Sequence, residues 1–120
     1  MSSQAKYLSV ILAPVSLGEL IDKITILEIK KIHMTGIKLK NVDKELKLLK
    51  KTLQDKNLEI DINLINNLKE VNKNLWAIED NIRIKENNQE FDKEFIQLAR
   101  SVYKENDKRA SIKKRNQSKV

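Results

Sequence analysis

The chain has 120 residues, of which 40% are hydrophobic, 34% charged and only 4% aromatic, and its formal net charge is +7. The length suits one domain, and the lack of cysteine excludes a disulfide framework, a thiolate zinc site and a cysteine nucleophile. One proline and two glycines are too few for a many-turned sandwich or barrel, and no apolar run approaches the roughly 20 residues that span a membrane. We therefore expect a soluble, cytoplasmic protein built from a few long helices.

The N-terminal region begins with residues 1–6, which are predicted to fray, and continues with a short apolar run at residues 7–13. Because Pro14 follows this run at once and a strongly specified helix comes next, we do not interpret it as an export signal. We expect an extended segment that lies against the helices, or a lone strand that needs a partner.

The first helix is predicted over residues 17–34. Ser16 can cap it, while Glu19, three residues on, reaches back to the backbone N–H of Ser16. Gly36 is expected to end this helix by taking the left-handed conformation. A second helix is predicted over residues 39–54, where leucine and valine recur at intervals of three and four.

The third helix is predicted over residues 61–86 with Asp61 as its cap, and the fourth over residues 92–114 with Asp92 as its cap. A basic tail follows at residues 115–120. Four helices with short links predict an all-α, antiparallel four-helix bundle with a short extended N-terminal segment. The heptad spacing on helices two and three is also that of a coiled coil, so a homodimer seam is the alternative.

The positive charge is concentrated in two segments. Residues 38–56 contain seven lysines and three acids, and residues 104–120 contain seven basic and two acidic residues. Lysine, isoleucine and asparagine all have A/T-rich codons, so genome composition is an alternative to a polyanion partner as the explanation of the lysine excess. The basic tail has no interleaved aromatic residue beyond Tyr103, and we therefore do not expect nucleic acid as the main partner.

Helix one is apolar around most of its circumference, so its polar residues stand out. At 100° per residue, Glu28 falls inside the apolar arc, Thr25 falls between two isoleucines, and Asp22 falls beyond Ile29. A buried carboxylate needs a charged or hydrogen-bonding partner. Two interpretations stay open: a structural ion pair with Arg83 or Arg100, or a carboxylate that binds a ligand or takes part in catalysis.

A second stripe on helix three contains the only tryptophan of the chain together with charged residues. It is either a binding wall or a set of surface pairs around a partly buried indole. Its members are Asn72, Trp76, Glu79, Arg83 and Glu86, with Asp80 beside them.

On helix four, Asn106, Arg109 and Lys113 take positions where leucines would be expected. Either the helix projects beyond its neighbours, or a polar pocket opens at that end of the bundle. Because the helices alternate in direction, the start of helix one should lie near the end of helix four. That arrangement brings three residues of each helix together: Glu19, Asp22 and Lys23 with Asn106, Asp107 and Arg109.

Catalytic motifs are sparse. His33 is the only histidine, which excludes histidine clusters and Ser-His-Asp triads, and the sequence has no Gly-rich phosphate loop and no zinc spacing. Glu19-x-x-Asp22 with Glu79-Asp80 resembles the acidic pairs of helical pyrophosphatases, but the second E-x-x-E/D pair is missing. A magnesium cofactor therefore stays open without an assigned set of metal ligands.

Three strings carry a closer resemblance: SLGELIDKITILEIK at residues 16–30, LWAIEDNIRIKE at 75–86 and FIQLARSVYKENDKRA at 95–110. Over about residues 8–116 the chain resembles a small bacterial and phage family, the domain-of-unknown-function family 6165. The resemblance brings no established activity. It implies that a shared polar site would include the family's motif positions, which are here Glu19, Asp22, Lys23, Thr25, Glu28, Trp76, Glu79, Asp80, Arg83, Arg100, Tyr103, Asn106, Asp107 and Arg109.

Three functions follow as hypotheses. The first is a non-enzymatic binding or interaction protein, dimeric or not, that uses the polar cluster or a helical face. The second is an enzyme or sensor for an anionic small molecule such as a nucleotide or sugar phosphate, with arginines as the clamp and carboxylates as magnesium ligands or general base; it predicts that Glu28, Arg83, Arg100 and Asp107 line one pocket. The third is a nucleic-acid accessory protein that uses the basic tail.

Overall fold

A computed structural model describes residues 11–118 and the side chains of residues 11–115. These residues form four helices and no strand: α1 (Leu17–His33), α2 (Gly36–Asp55), α3 (Ile62–Asn87) and α4 (Lys93–Ser118). The prediction of an all-α four-helix bundle is confirmed. None of these four helices is long and apolar enough to cross a membrane.

The starts of the helices follow the capping residues of the sequence. The Ser16 hydroxyl accepts a hydrogen bond from the Glu19 backbone N–H at 3.2 Å, and Asp61 Oδ1 accepts one from the Asn63 backbone N–H at 2.9 Å. Asp92 Oδ1 does the same for the Phe95 backbone N–H at 3.0 Å. Each cap satisfies one of the backbone donors that a helix start leaves without an intrahelical partner.

The helix ends differ from the prediction at two places. Gly36 does adopt a positive φ of +65°, but it starts α2, because Met34 is already extended and α1 ends at His33. Helix α4 continues to Ser118, so the first part of the expected basic tail is helical. No glycine or proline follows Gly36 in the sequence, so nothing in the tail interrupts the helix.

The segment before α1 does not pack as expected. Residues 11–16 have no regular secondary structure, and the exposed fractions of Ile11 and Leu12 are 89% and 91%. The expectation that this segment lies against the helices is therefore wrong for these two residues. The remainder of the expected extended segment and the frayed terminus, residues 1–10, lie outside the described residues.

The core has two parts, one on each side of α1. On one side Ile21 of α1 packs against Leu68 and other residues of α3 and against Ile112 of α4. On the other side Leu20, Ile24 and Leu27 of α1 pack against Val42 and Leu46 of α2. Helix α1 thus packs against all three other helices. Among the described helices, α2 makes close backbone contacts with α1 alone. The prediction that helix one is largely surrounded is confirmed.

The pairs of contacting residues define the helix directions. Asn74 of α3 hydrogen-bonds to Glu105 of α4, and Lys85 near the end of α3 pairs with Glu94 near the start of α4. Helices α3 and α4 are therefore antiparallel. Helix α1 is also antiparallel to α4, because an added Cβ on Gly18 would meet Lys113 while Asp22 contacts Arg109. The start of α1 therefore lies beside the end of α4, as the alternation of helix directions predicted.

Candidate functional site

A buried polar cluster lies between α1 and α3. The Asp22 side chain is only 4% exposed, and its Oδ1 accepts a hydrogen bond from Asn72 Nδ2 at 2.8 Å. The same Asn72 amide donates to Thr25 Oγ1 at 2.9 Å, and the Thr25 hydroxyl donates to the Asp22 carbonyl at 2.8 Å. All three side chains of this triad are thus hydrogen-bonded inside the protein, as buried polar groups usually are.

Two cations from α4 complete the cluster. Arg109 Nε lies 3.6 Å and Lys113 Nζ 3.5 Å from Asp22 Oδ2, and Lys113 Nζ also lies 3.1 Å from Glu19 Oε1. Helix α4 comes this close because Gly18 has no side chain: an added Cβ would lie 2.9 Å from the Lys113 carbonyl oxygen. The cluster therefore joins α1, α3 and α4 through one buried carboxylate.

A small cleft opens beside this cluster, next to Trp76. The indole stacks on His33 with 4.6 Å between ring centroids and 17° between the ring planes. The cleft has a volume of about 150 Å³, well below the ~300–1,000 Å³ of usual ligand pockets. It is lined by Ile26, Ile29, Lys30, Asn72, Leu75, Trp76, Glu79 and Arg109.

A larger groove of about 530 Å³ runs between α3 and α4. Its charges balance, with three cations and three carboxylates, and one of the cations, Lys108, pairs with Glu105 at 3.0 Å. The groove therefore has no excess of positive charge for a polyanion. Its lining residues are Asn67, Glu70, Val71, Asn74, Lys104, Glu105, Asp107, Lys108, Ser111, Ile112 and Arg115.

The outer part of the α3–α4 hairpin is a separate feature, and we call residues 77–102 the arm. None of these residues is buried, whereas the buried residues of α3 all lie between Leu64 and Leu75. We call α1, α2 and the hairpin parts packed on them, residues 62–76 and 103–118, the base. Burial stops where α1 ends, because α1 is the layer that covers the hairpin.

Apolar residues continue along the arm despite its lack of burial. Ile78, Ile82 and Leu98 are half-buried, and Ile96 is 55% exposed. Phe91 and Phe95 meet edge to face at the tip with 5.2 Å between ring centroids. The arm is therefore a two-helix layer with apolar side chains that no third element covers among the described residues.

Charges close the tip of the arm. Lys85 Nζ lies 3.0 Å from a carboxylate oxygen of Glu94, 3.0 Å from Asp92 and 3.3 Å from Glu90. Hydrogen bonds to Glu94 first, and then to Asp92 and Glu90, raise the pKa of Lys85 above its usual range. The Phe95 backbone N–H, followed by Lys85, lowers the pKa of Asp92. These bonds hold the two helices together at the end that has no core.

Residues 11–120 match the family described as "Family of unknown function (DUF6165)". The chain belongs to this family. No curated protein and no solved structure matches the chain. Membership agrees with the resemblance of the three sequence strings, and it attaches no activity to the residues above.

Of the family's motif positions, the structure brings two small groups together. Glu19, Asp22, Thr25 and Arg109 meet in the polar cluster. Trp76, Glu79 and Arg109 line the cleft beside it. Helices one, three and four thus converge along α1, with the polar cluster at its first half and the cleft at its second half, and Arg109 belongs to both groups.

Other motif positions lie elsewhere. Lys23 lines a third cavity of about 290 Å³ beside Lys30 of the same helix and Glu45 of α2. Arg83 pairs with Asp80 at 3.6 Å on the exposed side of the arm. Five positions remain: Arg100, Tyr103 and Asp107 are exposed, and Glu28 and Asn106 are half-buried.

The prediction that Glu28 pairs with Arg83 or Arg100 was wrong. Its carboxylate is 28% exposed and lies 3.7 Å from Lys50 of α2, whereas Arg83 and Arg100 are on the hairpin. The reason is that Glu28 points to the α1–α2 side, while Asp22 takes the buried position against α3. Glu28, Arg83, Arg100 and Asp107 do not line one pocket, because Asp107 alone of the four borders the large groove. That prediction of the enzyme hypothesis was wrong.

Two residues of the polar cluster were absent from the predicted site. The sequence pattern puts Asn72 on the stripe of Trp76, and it makes Lys113 an interruption of the core stripe on helix four. Both were detectable as polar residues in line with apolar positions. Across residues 11–118, no three histidine, aspartate or glutamate side chains form a group that could hold a metal ion.

Proposed function

We propose that this protein is a non-enzymatic interaction module that binds another protein chain on its arm. One observation carries the proposal: residues 77–102 contain no buried side chain, although their apolar residues keep the spacing of a covered helix face. Exposed apolar area of this kind marks sites where soluble proteins bind partners, because association removes that area from water.

The base supports this role by its rigidity. Its polar cluster uses Asp22, Thr25 and Asn72 for mutual hydrogen bonds and holds Arg109 and Lys113 at the edge. Such a satisfied network fixes the angle between α1 and the hairpin. The arm is therefore presented from a stable platform, which lowers the ordering cost of binding.

The proposal is tested by placing a photo-crosslinking amino acid at Ile96, on the arm, and at Leu48, on α2. Both side chains are exposed to a similar extent, 55% and 54%, so they differ in location rather than accessibility. We expect a discrete crosslinked protein at position 96 and none at position 48. The purified crosslinked partner should then bind the parent chain and the Leu48→Lys variant, but not Ile96→Lys. Equal binding by the two variants would contradict the proposal.

A second candidate function is the binding of a small anion in the cleft beside Trp76. The specific observation is that two cations, Lys30 and Arg109, line the cleft against one carboxylate, Glu79. At about 150 Å³ the cleft would hold a phosphate or carboxylate group rather than enclose a nucleotide. The planar fork of an arginine suits such a group.

Inorganic phosphate is the probe for this candidate. We expect phosphate to raise the melting temperature of the parent chain and of Arg100→Lys, and to raise that of Arg109→Lys much less. Each rise is measured from the variant's own baseline, because Arg109 also pairs with Asp22. Since phosphate stabilises proteins in general, an equal rise in all three proteins would exclude a site at Arg109.

A further inference from the structure

We infer that the cleft beside Trp76 binds a small zwitterion, a free α-amino acid, rather than a simple anion. The inference rests on the second candidate function, because it names the ligand class of that same cleft, and it is independent of the arm. It depends on which hydrogen-bonding groups around the cleft are already used within the protein and which are left over.

Asn72 presents an acceptor to the cleft and not a donor. Its Nδ2 group makes two hydrogen bonds, to Asp22 Oδ1 at 2.8 Å and to Thr25 Oγ1 at 2.9 Å, which use both of its hydrogens. The amide cannot be turned round, because a carboxylate has no hydrogen to donate and the Thr25 hydroxyl gives its own to the Asp22 carbonyl.

The atom of Asn72 that is left over is therefore its Oδ1. Within residues 11–115 this oxygen accepts no hydrogen bond, although Asn72 is only 5% exposed. Buried polar atoms usually have a hydrogen-bond partner. Since Asn72 lines the cleft, a ligand bound there can supply the missing donor.

Lys30 and Glu79 bring charges of opposite sign to the same cleft. Lys30 is half-buried and Glu79 is exposed, and neither side chain forms an ion pair or a hydrogen bond with the rest of residues 11–115. The two charges line one cleft, yet they lie too far apart to pair. The space between them suits a ligand that carries both signs of charge.

Arg109 adds a second cation for the anionic end of the ligand. Its Nε lies 3.6 Å from Asp22 Oδ2, which is too long for a hydrogen bond, and the side chain makes no hydrogen bond elsewhere in residues 11–115. The guanidinium donors are therefore available for a carboxylate, which they can bind in a bidentate manner.

An amino acid satisfies all of these groups, whereas a simple carboxylate satisfies only the cations. Its carboxylate binds Lys30 and Arg109. Its ammonium donates to the Glu79 carboxylate and to Asn72 Oδ1. A carboxylate without an amino group would leave the Asn72 oxygen without a donor and would place Glu79 beside a second negative charge.

The apolar part of the cleft limits the size of the amino acid. Ile26, Ile29 and Leu75 line it together with the Trp76 indole, and the volume is about 150 Å³. An apolar cavity of about 150 Å³ holds a molecule of the size of benzene. Amino acids with short side chains, such as alanine and valine, are of that size, so we expect them to bind more tightly than the aromatic ones.

Isothermal titration calorimetry of the full chain with each of the twenty genetically encoded amino acids tests the inference. We expect the tightest binding for a small amino acid such as alanine or valine. Propionate and isovalerate are the matched analogues without the amino group. They should bind at least about tenfold more weakly, because they lack the donor for Glu79 and Asn72. No binding by any of the twenty, or equal affinities for alanine and propionate, would overturn the inference.

Substitution of the two unpaired charges gives the sharper test. Glu79→Gln should weaken the binding of alanine at least about tenfold without weakening that of propionate, whereas Lys30→Met should weaken both. Circular dichroism checks that these variants fold. The controls are Glu86→Gln, an exposed acid one heptad further along α3, and Lys51→Met, an exposed lysine of α2, and both should bind like the parent. A Glu79→Gln variant that binds alanine as tightly as the parent would contradict the inference.

Failure of this inference is distinguishable from failure of the second candidate function. If phosphate stabilises the chain through Arg109, but alanine binds no more tightly than propionate, the cleft is an anion site and the zwitterion is excluded. If neither phosphate nor any amino acid binds, both are overturned. Neither result bears on the arm, whose partner is tested at Ile96.

Discussion

The base and the arm are made from the same two helices, yet they differ in burial. In the base α3 buries five residues, among them Leu68 at 0% exposure, whereas no residue of the arm is buried. The apolar spacing is similar in both regions, so the sequence of α3 and α4 does not cause the difference. It is caused by α1, which supplies a third layer over the base and ends at His33.

This difference shows that a helix pair can fold without completing its own core. The base stabilises the start of α3 and the end of α4, and the helices then extend beyond it. The exposed fraction of the arm's apolar residues is what a partner would remove on binding. Matched substitutions should therefore lower the free energy of unfolding more in the base than in the arm.

The largest effect is expected for Asp22→Ala in the base. Removing this carboxylate leaves the Asn72 amide and the cations Arg109 and Lys113 without their buried partner, which should cost about 3–5 kcal/mol in the free energy of unfolding. Urea denaturation measures it. Asp80→Ala, which removes an exposed partner of Arg83, is the control and should cost at most about 1 kcal/mol. Equal costs would show that the cluster does not hold the base together.

Leu68→Ala and Leu98→Ala compare a buried with a half-buried leucine on the same hairpin. The first should cost about 2–5 kcal/mol because it leaves a cavity. The second should cost less than about 1.5 kcal/mol when measured at low protein concentration, where any partner of the arm has dissociated. If Leu98→Ala cost as much as Leu68→Ala, the arm would have a core of its own and the contrast would fail.

A smaller effect is expected for Gly18→Ala, where α1 crosses α4. Helix propensity alone would make alanine more stable than glycine by about 1 kcal/mol. The added Cβ would lie 2.9 Å from the Lys113 carbonyl oxygen, however, so the helices must separate, at about 1–3 kcal/mol. Thermal unfolding shows whether Gly18→Ala raises or lowers the stability. A variant more stable than the parent would rule out a tight crossing of α1 and α4.

The smallest effect concerns pH at the arm tip. The pKa of Asp92 is lower in the folded chain than its ordinary value of about 3.9. Its stabilising contribution is therefore present above pH 4 and is lost as the pH falls through the folded value. We expect amide exchange at the start of α4 to quicken on acidification, while the base stays protected.

Asp92→Asn should reduce this acid dependence and leave the part that comes from Glu90 and Glu94, since asparagine can still cap the helix but does not titrate. Hydrogen-exchange measurements of the parent and the variant between pH 2.5 and pH 6 test it. If amide exchange at the start of α4 quickens equally in both proteins as the pH falls, the expectation is contradicted.

Capping residues explain why the helix starts were predictable. Ser16, Asp61 and Asp92 act through the backbone a few residues ahead, so their effect is local and appears in the sequence. The surrounded character of α1 was likewise visible, because its apolar residues cover nearly the whole circumference. Local signals were sufficient for the elements and for the all-α class.

The site was less predictable because it depends on which helix faces which. The 100° rule placed both Asp22 and Glu28 near the apolar arc, but only the packing decides that Asp22 meets Asn72 and that Glu28 meets Lys50. The arm was hidden for the same reason. Its apolar spacing matches that of a covered helix, and only the length of α1 relative to α3 shows that the cover is missing.

The stack of His33 on Trp76 has a practical consequence. These are the only histidine and the only tryptophan of the chain, and they meet where α1 ends and the arm begins. The tryptophan fluorescence of the protein therefore originates at this joint. Emission excited at the long-wavelength edge of the indole band, where tyrosine does not absorb, reports without any attached dye whether α1 stays packed on the hairpin when the arm binds or the chain unfolds.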